Sequence, residues 1–288
     1  MRDLNYQLKQ LCQRNRDGSH ATRADRERIL SQVANQLFEL GFPHMSADSL
    51  KPKHVVALVE RWKVEGIATG SIKNRMSAMR WWAEKIGKDN VVARSNAVYG
   101  IKRRVFVTNI SKGRKLDADR LARVDDPYSA MSLRLQAAFG LRRAESIKIM
   151  PGWADLGDRL RLKASWTKGG RYRDMPIKTA AQRSVLDAAK ALAGSGSLIP
   201  KHNSYVAQMK RFEGQCKKAG IQQVHGLRHQ YAQTLYEALA GWKCPAAGGP
   251  TAKELTPAQK ARDTEVRLEI SSDLGHCREQ ITAVYLGR

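Results

Sequence analysis

Acidic side chains are scarce in this chain. Asp and Glu number 27 against 51 Lys and Arg, a formal net charge of +24 over 288 residues. So large an excess opposes compaction through self-repulsion and calls for a polyanionic partner. Nucleic acid leads, ahead of an anionic membrane surface or a ribosomal neighbour. Cysteine is scarce as well: Cys12, Cys216, Cys244 and Cys277 are too few and too scattered for a disulfide scaffold, and no CxxC pair offers a zinc knuckle. A cytoplasmic location is expected. No run approaches the roughly 18 apolar residues of a spanning helix, and the opening MRDLNYQLKQ lacks the apolar core of a signal peptide. Also missing are the GxxxxGKS or GxxxxGKT phosphate loop, the GxGxxG turn and HExxH, which sets aside ATPases, helicases, dinucleotide enzymes and zinc hydrolases. No local carboxylate signature marks a metal-dependent nuclease, so neither cofactor nor metal is expected.

What is present fits a globular protein, with 42% hydrophobic and 27% charged residues. The length suggests about two domains. From Ser71 to Ile86, apolar residues at Ile72, Met76, Met79, Trp82 and Ile86 mark one face of a helix. Its other face carries Lys73, Arg75 and Arg80, open to solvent or phosphate. Val55, Val56, Val59 and Trp62 repeat the pattern upstream, as do Ile29, Val33, Leu37 and Leu40, so residues 1–87 read as a four-helix domain. Residues 88–115 lose the helical period and gather Lys102, Arg103, Arg104, Lys112, Arg114 and Lys115, the mark of a basic linker. Beyond it, helices are expected near 117–125, 129–139, 143–149, 179–193, 204–219, 226–240 and 256–272, with a short one after Cys277. Residues 159–163 alternate as a strand, and Gly169-Gly170 within Trp166–Ile177 signals a hairpin turn.

The second half carries a series of cations ending in a tyrosine. Gly140-Leu141-Arg142-Arg143-Ala144-Glu145 places an arginine between two helices, with Arg143 as a rival to Arg142. Lys168 sits at the hairpin tip, with Lys163 and Arg171 nearby. His225-Gly226-Leu227-Arg228-His229 opens a helix, so His225 and Arg228 can share a face. Leu274-Gly275-His276 then precedes Tyr285. Tyr231 and Tyr236 are alternative tyrosines, but no LGH block stands before them.

In order and spacing these blocks resemble the catalytic signature of the tyrosine recombinases, the phage-type integrases, over roughly residues 115–288. The helical N-terminal half resembles that family's core-binding domain. The resemblance implies a mainly α fold with a small β-sheet: a SAM-like core-binding domain with its linker over 1–110 and an α+β catalytic domain over 115–288, together clamping duplex DNA. It implies strand cleavage and rejoining through a covalent 3′-phosphotyrosine, for integration or excision of a mobile element. In that reading Tyr285 is the nucleophile, Arg142 and Arg228 clamp the scissile phosphate, and Lys168 is the general acid. His225 assists proton transfer, and His276 hydrogen-bonds the phosphate. Planar guanidinium groups suit charge growing on non-bridging oxygens. A tyrosine hydroxyl, with an ordinary pKa near ~10, needs cations about it to attack at neutral pH.

The implied partners are double-stranded DNA, sister protomers in a homotetramer and accessory DNA-bending proteins, with the protein on the nucleoid when bound. Two features depart from the family pattern. Residues around 241–262 form an insertion whose Cys244–Pro250 stretch is expected to be a loop, and the insertion is either a DNA or protomer contact or a surface excursion. Only three residues follow Tyr285, so protomer coupling without a long C-terminal tail is expected. The other readings of the same residues are a non-catalytic DNA-binding accessory factor and type IB topoisomerase-like strand relaxation.

Overall fold

The structure, a computed structural model, describes residues 3–276 and 279–288. It divides into two units, Met1–Val105 and Phe106–Arg288. Among the described residues the chain is mainly helical, with one two-stranded sheet.

In the N-terminal unit, α1 (Asp3–Arg14), α2 (His20–Glu39), α3 (Pro52–Val64) and α4 (Thr69–Lys85) enclose one apolar core. Ser19 caps α2 by accepting from the Thr22 amide, and Pro52 starts α3 where no amide partner is needed. Trp62 and Trp82 are fully buried, and each indole N–H finds an oxygen: Gln36 Oε1 at 2.9 Å and the Ala47 carbonyl at 2.9 Å. Val56, assigned to the apolar stripe from its spacing, is 48% exposed, because Val55, Leu58, Val59 and Trp62 fill the buried side of α3.

The basic face expected on α4 is largely engaged within the unit. Arg80 donates to the Ala93 carbonyl at 3.0 Å and to Asn96 Oδ1, and Arg75 stacks over Trp62. The 88–115 linker also begins later than its composition suggests. Val92 and Ile101 are buried in the N-terminal core, and the Tyr99 hydroxyl accepts from the Ala93 amide, so two buried side chains hold the first half of this stretch in the unit. Lys102, Arg103, Arg104, Lys112, Arg114 and Lys115 are exposed.

The C-terminal unit runs α5 (Ala118–Ala122), α6 (Pro127–Phe139), α7 (Arg143–Lys148), α8 (Pro151–Ala154), β1 (Arg159–Leu162), β2 (Arg173–Pro176), α9 (Ala180–Ala193), α10 (Tyr205–Lys218), α11 (Gly226–Ala240), α12 (Pro257–Asp273) and α13 (Glu279–Leu286). Asp126 caps α6, Thr179 caps α9, Ser204 caps α10 and Thr256 caps α12, each accepting an amide of the first turn. The strands pair antiparallel, Arg159 opposite Pro176 and Leu162 opposite Arg173. The Gly169-Gly170 pair does not close a tight hairpin. Trp166 turns inward to meet Trp153 edge-on, and Thr167 Oγ1 donates to backbone oxygens, so the chain leaves the ladder at Lys163 and rejoins it at Arg173.

The 241–262 segment is mostly at the surface but is anchored in the core at Cys244–Ala246 and Leu255. Cys244 and Ala246 are buried in the same cluster as Tyr285 and Leu286, and from Pro257 the chain is already α12. Among the described residues no helix is long and apolar enough to cross a membrane. Cys277 lies outside the described residues.

Candidate active site

Four separated segments converge at the N-terminus of α11. The first is the α6–α7 junction. Gly140 ends α6 in the left-handed region at φ +60°, and a Cβ there would stand 2.4 Å from Tyr231 Cδ1, so the turn that delivers Arg142 requires glycine. Arg142 then occupies the N-cap position of α7, and its amide and guanidinium donate to the two oxygens of buried Glu145 at 2.8 and 2.7 Å. Its rival Arg143 turns away to pair with Glu213.

The second and third segments frame Arg228, which is 1% exposed on the first turn of α11. Its guanidinium donates to the Gly140 and Leu274 carbonyls, Nε points at the Tyr285 hydroxyl at 3.4 Å, and NH2 reaches His276 Nε2 at 3.4 Å. No carboxylate pairs with Arg228 among the described residues. Burial, then the neighbouring Arg142 charge, draws its pKa down to about 10, so the group remains a cation at neutral pH. A buried cation held by neutral partners alone is short of negative charge, which is the state an anion relieves.

The fourth segment is α13, which brings Tyr285 to the cluster, 7% exposed. Its hydroxyl lies 3.4 Å from His225 Nε2, and its ring stacks on His276 at 5.4 Å between centroids and meets His229 at a tilt at 4.5 Å. His276 Nδ1 faces Thr282 Oγ1 at 3.2 Å. Burial, then the positive charge of Arg228 and Arg142, lowers the pKa of His225, and the same causes with Arg173 lower that of His276 to about 3. Both imidazoles are therefore neutral. With His276 Nε2 accepting from Arg228, its proton sits on Nδ1 and is donated to Thr282.

The structure thus brings Arg142, His225, Arg228, His276 and Tyr285 together. Lys168 stands apart, exposed in the turn between the strands. Lys163 packs over Trp153 and Trp166 at 4.5 and 5.3 Å. The other tyrosines serve packing: Tyr236 donates to Asp263, and Tyr231 lies beneath Gly140.

Two further side chains, to which the sequence assigns no catalytic role, belong to the cluster. Arg173, on β2 and 6% exposed, binds Glu145 and the Leu274 carbonyl. His229 underlies the Tyr285 ring with a pKa lowered to about 4 by burial and then by His225. Arg173 follows the strand alternation inward, which is the one signal that marked it. Among the described residues, no group of His, Cys, Asp or Glu side chains is arranged to hold a metal ion.

The family profile described as "Phage integrase, N-terminal" matches residues 1–92, and that described as "Integrase" matches residues 100–234. Between them they span most of the chain. The chain belongs to the phage integrase family of tyrosine recombinases. It is accordingly a tyrosine-type site-specific DNA recombinase. No curated protein matches this integrase by sequence. Among solved structures, a lambda integrase tetramer bound to a Holliday junction is similar over 99% of this chain and 78% of that one, at TM-score 0.62 and 17% identity. XerH site-specific recombinase bound to its difH substrate is similar over 98% and 80%, at 0.57 and 15%. The Tn1549 transposon integrase with circular-intermediate DNA is similar over 100% and 96%, at 0.54 and 14%. At these identities the likeness is one of fold.

Proposed function

We propose that the cluster about Arg228 is the catalytic centre of this recombinase and that Tyr285 is its nucleophile. The observation that carries the reading is a buried, carboxylate-free arginine beside a tyrosine hydroxyl that also meets a neutral histidine. Tyr285 Oη attacks the scissile phosphorus, and its proton passes to His225 Nε2. The P–O5′ bond breaks, a 3′-phosphotyrosyl ester forms, and Lys168 at the hairpin turn protonates the departing 5′ oxygen. The ester keeps the bond energy for rejoining, when a 5′ hydroxyl attacks the phosphorus and Tyr285 leaves. Arg142 and Arg228 hold the non-bridging oxygens as charge grows on them. The two carbonyls that fix Arg228 mean that little reorganisation is needed at that moment. To donate to the phosphate in its turn, His276 takes up a proton or shifts it from Nδ1 to Nε2.

The substrate is double-stranded DNA, and the biological role is integration or excision of a mobile element. The complex that exchanges strands is a homotetramer on two synapsed sites, with DNA-bending proteins as accessory partners, acting on the nucleoid in the cytoplasm. The matched integrases are bound to DNA, one of them as a tetramer on a Holliday junction, and this supports the assembly. The exposed basic residues between 102 and 115 supply phosphate contacts that carry no sequence information.

A nicked suicide substrate tests the chemistry. Wild-type protein is expected to accumulate a covalent DNA adduct and Tyr285→Phe none, with DNA binding retained. An undiminished adduct in Tyr285→Phe would refute the assignment of the nucleophile.

A further inference from the structure

Arg173 lies outside the set of side chains that the reaction above uses, yet it is among the most buried cations in the molecule. Its guanidinium makes two hydrogen bonds to Glu145, NH2 to Oε2 at 2.9 Å and NH1 to Oε1 at 3.3 Å, and NH1 also donates to the Leu274 carbonyl at 3.2 Å. Both of these partners are shared. Glu145 receives Arg142 on the same two oxygens, and the Leu274 carbonyl receives Arg228 NH2. The side chain also fits closely beneath the turn before His276. Gly275 adopts φ +64°, and a Cβ there would stand 2.7 Å from Arg173 Cδ. One residue of β2 therefore touches what orients the first arginine, what orients the second, and the turn that presents His276.

Charge gives the arrangement its consequence. Glu145 is 1% exposed, and its carboxylate is the negative charge in direct contact with Arg142. Burial opposes its ionisation, but Arg173 and then Arg142 outweigh that and hold it ionised. With Arg173 present, the three arginines and one carboxylate sum to two positive charges. Without Arg173 a single positive charge remains, and Glu145 is left to neutralise Arg142. Cleavage of a phosphodiester by an attacking oxyanion builds toward two negative charges on the phosphoryl oxygens, so that difference falls on the transition state.

We infer that Arg173 is a positioning residue for catalysis, one that absorbs the charge of Glu145 and holds the Leu274 carbonyl so that Arg142 and Arg228 face the scissile phosphate as full cations. This rests on the catalytic reading given above.

The test uses full-length protein, Arg173→Met and Arg173→Lys, with single-turnover adduct formation on two nicked suicide substrates. One carries the normal scissile phosphodiester. The other carries a methylphosphonate there, in which a neutral methyl replaces one non-bridging oxygen and removes a negative charge. Arg173→Met should bind DNA within about threefold of wild type while its adduct rate on the phosphodiester falls about 100-fold or more. On the methylphosphonate, where less charge needs balancing, the deficit should shrink to about tenfold or less. Arg173→Lys restores the charge without the two-pronged geometry and should fall between, and it serves if Arg173→Met does not fold. A merely structural role would lower both substrates by the same factor, and that result, or a wild-type rate in Arg173→Met, overturns the inference. Failure of wild-type protein to form any Tyr285-dependent adduct would overturn the catalytic reading itself.

Discussion

The histidines around Tyr285 should make the DNA-free protein acid-sensitive in a pH range where few other groups titrate. In the unfolded chain a histidine titrates near ~6.5. In the fold, His229 is lowered to about 4 and His276 to about 3, each by burial first and by neighbouring positive groups second. A depressed histidine pKa means that the unfolded state binds the proton first. The stabilisation is therefore complete above the unfolded pKa and is lost as pH falls from there toward the folded value.

Between about pH 7.5 and about pH 5, a histidine that stays neutral in the fold forfeits about 2 kcal/mol. His229, 6% exposed, should cost close to that figure. His276 is half-buried and solvent screening reduces its share, so the pair together should cost about 3 kcal/mol, a large part of an ordinary domain's stability. Glu145 and Asp174, whose pKa values are lowered, give up their stabilisation only below the ordinary carboxylate range. Asp273, raised by burial, acts with the opposite sign, gaining stabilisation as pH falls, so it works against the histidines rather than with them.

Hydrogen exchange of the α11 peptides in a urea series, at several pH values, reads this for the C-terminal unit. His229→Asn should flatten the slope by more than half, whatever it does to stability at neutral pH. A wild-type loss below about 1 kcal/mol over the range would refute the burial argument. Bound DNA should also reverse the trend, because phosphate favours the protonated His276. Complex formation near pH 6 should therefore take up protons, measurable as a buffer-dependent heat of binding.

Three further outcomes follow from the geometry. Glu145→Gln removes the one carboxylate that Arg142 and Arg173 share and should destabilise the C-terminal unit by about 3 kcal/mol or more, as for other broken buried pairs, in urea denaturation followed by circular dichroism. Gly140→Ala combines a left-handed backbone with overlap on Tyr231, and should cost about 2 to 4 kcal/mol and abolish adduct formation, read by the same melts and by the suicide substrate. With a net charge of +24, binding to any duplex should weaken steeply with salt, and replacing Lys102 and Arg103 by Ala should lower the slope of log affinity against log salt by about 1 to 2 in fluorescence anisotropy.

Helix existence and the order of the catalytic blocks were legible because both are local. Ile72, Met76, Met79 and Trp82 sit on one buried face of α4 as their spacing requires. Gly140-Leu141-Arg142, His225–Arg228 and Leu274–His276 each occupy a helix end, where backbone turns and exposed polar groups are set by short sequence. What escaped the sequence depends on contacts across the chain. Arg80 reads as a phosphate-facing residue until Ala93 and Asn96 fold back on it. Cys244 and Ala246 lie in a Gly- and Pro-rich stretch that reads as a loop, and only the packing of α13 shows them to be core. Arg173 meets Glu145 at a separation of 28 residues and Leu274 at 101, distances at which no periodicity carries information.

The scarcity of carboxylates is thus more than a matter of overall charge. A buried arginine would ordinarily be matched by a buried acid, and the match would extinguish its pull on a phosphate. Here the acid that does enter the centre, Glu145, is taken up by two guanidinium groups, and Arg228 is left to carbonyl oxygens that fix its position without cancelling its charge. The remaining cost is the burial of these groups and, after it, the repulsion among neighbouring guanidinium groups, which together lower the pKa of Arg228 and keep the two histidines neutral. DNA removes that cost on binding. Occupancy of the site by a phosphodiester should therefore stabilise the C-terminal unit beyond what exposed lysines and arginines contribute, and this part of the stabilisation should persist at salt concentrations that screen the surface. A duplex with a methylphosphonate at the scissile position is the matched control. If it protects α11 from exchange as well as the normal duplex does in high salt, the buried charge is not what DNA relieves.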